Sequence, residues 1–91
     1  MPVIWKFPVL NLAQFSSGFD GDITIPGAFR IVDVQMQGNI PTIWAEVNPA
    51  NPKQKVRIIM VGTGHEIPMP AKHLGTVQDG ELVWHIYQAG V

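Results

Sequence analysis

The chain has 91 residues, 46% of them hydrophobic and only 14% charged, with a formal net charge of −1 and no cysteine. That length suits a single domain, residues 1–91, with one small core, and the apolar content excludes a disordered polyelectrolyte. The missing cysteine removes a disulfide framework, a thiolate nucleophile and thiolate metal sites together.

Lys6, Arg30, Lys53, Lys55, Arg57 and Lys72 are spread along the chain, so nucleic acid is not an expected partner. A small ligand carrying one or two phosphates needs only a cation or two and some N–H groups, and stays open. No apolar run approaches the roughly 20 residues of a membrane helix. Met1 to Lys6 lacks a basic region followed by a long apolar stretch, so neither a membrane partner nor a signal peptide is expected. So few charges leave apolar surface for another copy to cover, which points to a homo-oligomer.

In chain order, Val3-Ile4-Trp5-Lys6-Phe7 alternates and is closed by Pro8, as a short edge strand would be. Val9 to Phe15 reads as either a strand or a turn of helix, ended by Ser16-Ser17-Gly18. Asp20-Gly21-Asp22 leads into a brief strand, Ile23-Thr24-Ile25, stopped by Pro26-Gly27. Phe29 to Gln37 predicts a longer strand with Val32, Val34 and Met36 on one face and Ile31, Asp33 and Gln35 on the other. Gly38-Asn39 makes a two-residue turn into Thr42 to Asn48, where Ile43, Ala45 and Val47 oppose Thr42, Trp44 and Glu46. After a proline-bearing loop, Lys55 to Val61 is rich in β-branched residues and predicts a buried strand. Gly62 to Lys72 reads as a loop. Leu74 to Gln78, the pair Asp79-Gly80 and Glu81 to Gln88 predict a second hairpin, with Leu82, Trp84 and Ile86 on one face and Val83, His85 and Tyr87 on the other. No helical period is sustained. The expected fold is all-β: six or seven short antiparallel strands in a partly open barrel or a two-layer sandwich.

The chemistry gathers at two Gly/Thr/His stretches, Gly62-Thr63-Gly64-His65 and His73-Leu74-Gly75-Thr76. A Gly-x-Gly corner after a strand presents N–H groups to an anion, or simply makes a bend or bulge. The phosphate-loop fingerprint needs a following helix, which Glu66-Ile67-Pro68-Met69-Pro70 forbids. His65, His73 and His85 match no zinc spacing, so no metal site is expected. Asp33 and Glu46 are read as solvated strand residues, and no histidine is placed beside Ser16 or Ser17, so no catalytic residue is assigned. Trp84 alternates with core residues. Trp44, on the mixed face, is the candidate for stacking on a planar ring or packing against a second subunit. Arg30 and Arg57 are strand arginines that either pair with a phosphate or stay solvated.

Ile4-Trp5-Lys6-Phe7-Pro8, Val34-Gln35-Met36-Gln37, Pro41-Thr42-Ile43-Trp44-Ala45, Gly62-Thr63-Gly64-His65 and His73-Leu74-Gly75-Thr76, with Leu82-Val83-Trp84-His85-Ile86-Tyr87, resemble a family of short proteins of unknown function found mainly in phage and prophage genomes. The likeness covers nearly the whole chain, Gln14 to Gly27 being the weakest part. It implies a phage-encoded accessory protein of the host bacterial cytoplasm, with no catalytic residues to transfer. Small phage proteins of this kind often bind something of the host's, and some sequester nucleotide-derived immune signals; that is an analogy about a class.

The expectation is therefore a non-enzymatic homo-oligomer that binds a small ligand, a nucleotide-derived signal being one candidate, without a cofactor. Gly62, Thr63, Gly64 and His65 would donate hydrogen bonds, Trp44 would stack, Arg57 would meet phosphate, and His73 with Thr76 would close the site. The alternative is a protein–protein module that blocks a host protein or serves as a small virion piece. A small hydrolase acting on a nucleotide signal is a third reading, and would need an added metal ion.

Overall fold

The computed structural model describes residues 1–9 and 19–91; the strand-or-helix question at residues 10–15 and the turn at Ser16-Ser17-Gly18 lie outside them. Seven strands are described: β1 (Val3–Pro8), β2 (Phe19–Pro26), β3 (Arg30–Gln37), β4 (Ile40–Val47), β5 (Lys53–Gly62), β6 (Ala71–Asp79) and β7 (Leu82–Ala89). They form a three-stranded sheet, β1-β4-β3, and a four-stranded sheet, β2-β5-β7-β6. Every ladder is antiparallel. The result is a two-layer sandwich, not a closed barrel.

Period-2 alternation makes the core. Ile23 and Ile25 of β2, Ile43, Ala45 and Val47 of β4, Val56, Ile58 and Met60 of β5, and Trp84 and Ile86 of β7 are buried in one cluster. Each large aliphatic member contributes about 1.5–3 kcal/mol relative to exposure. Trp84 is thus a core residue, as its alternation predicted. Val9, just past β1, is also buried, and its N–H donates to the Pro41 carbonyl at 2.8 Å.

Four expectations need correction, and each has a local cause. β2 is eight residues long and includes Asp20-Gly21-Asp22. The Phe19 ring covers Gly21 so closely that a Cβ there would sit 2.7 Å from its Cζ, filling the side that glycine leaves bare. The β6–β7 turn is Gly80-Glu81 instead of Asp79-Gly80, with Asp79 paired to Leu82 and Gly80 at φ +60°. β6 starts at Ala71, so Lys72 and the His73–Thr76 stretch lie on a strand and do not form a second corner.

The fourth correction concerns β3. Its register slips between Ile31 and Asp33, leaving Val32 as an extra, exposed residue. Ile31, opposite buried Ala45, takes the inward place that alternation gave to Val32. β6 slips in the same manner between His73 and Gly75, leaving Leu74 as the extra residue. Just past both bulges the two strands meet across the sandwich. A Cβ on Gly75 would lie 2.9 Å from the Val34 Cβ, so this glycine sets how closely the layers approach.

Candidate functional site

β5 ends at Gly62, and Thr63-Gly64 turns the chain out of the sheet. Gly64 has φ +91°, and the His65 N–H donates to the Gly62 carbonyl at 3.2 Å. An L side chain resists that φ, so Gly64 serves the turn. Gly62 differs: an added Cβ would come no closer than 3.8 Å to Trp84, an ordinary contact. Gly62, Thr63 and His65 line a shallow cleft of about 280 Å³, with Leu82, Trp84 and Glu81 opposite.

From this corner a row of hydroxyl and imidazole side chains crosses the outer face of the four-stranded sheet. Thr63 Oγ1 is 2.8 Å from His85 Nε2, His85 Nδ1 is 3.1 Å from Thr76 Oγ1, and Thr76 Oγ1 is 3.2 Å from His73 Nε2. The His73 ring packs edge-on to Tyr87, with centroids 5.1 Å apart. Thr76 sits opposite His85, and His73 opposite Tyr87. His73 and Thr76 are three positions apart and would face opposite sides of a regular strand. The extra residue at Leu74 brings both to the outer face.

The row has a direction. The Thr76 hydroxyl carries one proton, so when it donates to one imidazole it accepts from the other. Either sense satisfies every member, and the two exchange when both imidazoles switch tautomer. This arrangement can orient a polar ligand through its hydroxyls and ring nitrogens.

At its far end the row reaches a second cleft, about 440 Å³, where the strands part before the bulges. Phe29, just before β3, with Arg30 and Ile31 of β3 forms one wall, and Lys72, His73 and Leu74 of β6 the other, with Gln88 and Val91 beside them. The Arg30 guanidinium bonds Glu46 Oε1 through Nε at 2.6 Å. Trp84 and Gln88, one at each cleft, are four residues apart on β7, about 13 Å along the strand. The clefts are therefore separate.

Two expected contacts do not join this arrangement. Trp44 lies on β4, half-buried on the outer face of the other sheet, between the cross-strand neighbours Lys6 and Asp33. Arg57 is committed to Asp20 by two hydrogen bonds, Nε to Oδ1 at 2.8 Å and Nη2 to Oδ2 at 2.6 Å. That hydrogen bonding holds the Asp20 carboxyl below its ordinary range and raises Arg57. The structure gathers Gly62, Thr63 and His65 at the corner and links Thr63 to Thr76 and His73. It leaves Trp44 and Arg57 apart. Gly64 shapes the corner through its φ.

Residues 1–90 match a family described as a domain of unknown function, DUF7352. The chain belongs to that family. No curated protein and no solved structure matches it. In this DUF7352 chain the reading of residues therefore rests on geometry alone.

Sequence reasoning missed the central member of the row. The alternation puts His85 on the face with Tyr87, but nothing marks it as the bridge between Thr63 and Thr76, because those partners arrive from the turn after β5 and from β6. Lys72 was missed because a loop was expected there. Among the described residues, no group of three or more His, Asp or Glu side chains is placed to hold a metal ion.

Proposed function

We propose that the chain is a non-enzymatic, phage-encoded protein that takes up and holds a small ligand, with a nucleotide-derived immune signal in the host cytoplasm as the ligand class. The observation that supports this reading is the hydrogen-bonded row Thr63–His85–Thr76–His73 with an open cleft at each end. Imidazoles and hydroxyls that both donate and accept suit the edges of bases and the oxygens of sugar phosphates. The test is to incubate the purified protein with nucleotide signals, remove free ligand, heat the protein and analyse what it releases. Release of an intact signal, reduced at least fivefold in a Thr76→Val variant, is the expected result. Products in place of the signal would mean turnover, and free, intact signal would remove the sequestration reading.

One observation favours a second reading, a protein–protein module or virion accessory. β1 is a sheet edge, and Val3, Ile4 and Trp5 are 38%, 53% and 37% exposed, apolar side chains from both faces. Such an edge suits another chain, a second copy included. Sedimentation of the parent and a Trp5→Ser variant tests it: a parent oligomer that dissociates on substitution supports the edge as an interface, and a monomeric parent rejects self-association.

A further inference from the structure

We infer that the cleft between β3 and β6 is a binding site for a phosphate-bearing small molecule of mononucleotide size. The proposal shares the reading of the chain as a small-ligand binder but does not depend on which signal is sequestered or on the corner cleft. Its volume, about 440 Å³, falls within the roughly 300–1,000 Å³ of small-ligand pockets. Paired bulges in facing edge strands are what open it. Val34 and Gly75 clamp the layers together on one side of the bulges, and Ile31 and Leu74 line the opening on the other. Bulges recur beside binding sites because they re-aim side chains that a regular ladder would point elsewhere.

The chemistry of the walls is that of an anion site with an apolar side. Arg30 engages Glu46 through Nε alone, and its two Nη groups make no hydrogen bond to another described residue. The Lys72 ammonium likewise has no salt-bridge partner among the described residues, and stands on the opposite wall. An arginine and a lysine contributed by the two sides of one cleft suit the non-bridging oxygens of a phosphate. His73 and Gln88 add polar lining, and Phe29 with Leu74 supplies the surface for a ring. The corner cleft offers no cation among its lining residues and includes Glu81, so it does not suit the same ligand.

The experiment is an amide chemical-shift titration of the full chain with AMP, and with adenosine as the phosphate-free probe. Expected are shifts centred on Arg30 and on Lys72 to Leu74 with AMP, and at least tenfold weaker binding of adenosine. Arg30→Gln and Lys72→Ala should each weaken AMP binding about tenfold, the loss of one charge-assisted contact. Lys55→Ala, on the far strand β5, should leave it unchanged, and Glu46→Gln, which frees Arg30, should strengthen it. No AMP-dependent shifts, equal binding of adenosine, or equal weakening by Lys55→Ala would each overturn the site. Because the heat-release assay reads Thr76 and this titration reads Arg30 and Lys72, failure of one reading is distinguishable from failure of the other.

Discussion

The outer faces of the two sheets are both polar, yet they use polarity differently. On the three-stranded sheet, side chains pair off separately: the Arg30 Nε with Glu46, Lys6 with Gln37 across β4, and Asp33 with the Val34 N–H and Gln35. On the four-stranded sheet, Thr63, His85, Thr76 and His73 form one connected row that runs from the turn after β5 over β7 to β6 and ends at a cleft on either side. Exposed ion pairs add little to stability and are screened by salt. A row of hydroxyls and imidazoles keeps hydrogen-bonding capacity available at its ends.

The sharpest way to break the contrast is at the clamp between the sheets. Gly75→Val should cost about 1–3 kcal/mol, since the new side chain must displace Val34 or part the layers. Urea denaturation measures it, and an unchanged midpoint would mean the layers yield without resistance. A smaller effect is expected on the row. Thr76→Val removes the hydroxyl shared by two imidazoles and should cost about 0.5–1.5 kcal/mol, while ¹⁵N spectra of His73 and His85 lose their coupled tautomer preference. If the two imidazoles keep their parent spectra, the row is not a connected unit.

The smallest effect is reserved for the ion pairs, and it has a pH signature. Hydrogen bonding from Arg57 and Arg30 holds the carboxyls of Asp20 and Glu46 below their ordinary range. A carboxyl whose folded value is depressed stabilises the fold above its unfolded pKa, and that contribution is lost as pH falls through the folded value. Asp20→Asn and Glu46→Gln should therefore lower stability slightly at neutral pH, flatten its acid limb and converge with the parent in strong acid. High salt should shrink the difference; a gap that persists in acid would point to a cause other than ionisation.

Much of this was legible because strand alternation is a local rule. The alternation of Thr42–Asn48 and Glu81–Gln88 puts Ile43 and Ile86 inward, the β-branched run Lys55–Val61 reads as buried, and the structure fully buries Ile43, Ile58 and Ile86. The two Gly/Thr/His stretches were visible as unusual, and Gly64 does make the corner. Trp44 and Arg57 lie apart from the row because residue type carries no information about which sheet a strand joins or which carboxylate it will meet. Asp20 reaches Arg57 only through the β2–β5 ladder, from 37 positions away.

The sequence by itself determined the all-β class, the inward and outward faces of the regular strands, and the residue types available for chemistry, since each depends on neighbours one or two positions away. Tertiary structure alone decided the sandwich, the paired bulges at Val32 and Leu74, and hence the row and the edge cleft. A bulge shifts every later side chain by one position, and what selects it here is the close approach of Gly75 to Val34, a contact between strands 41 residues apart in the chain.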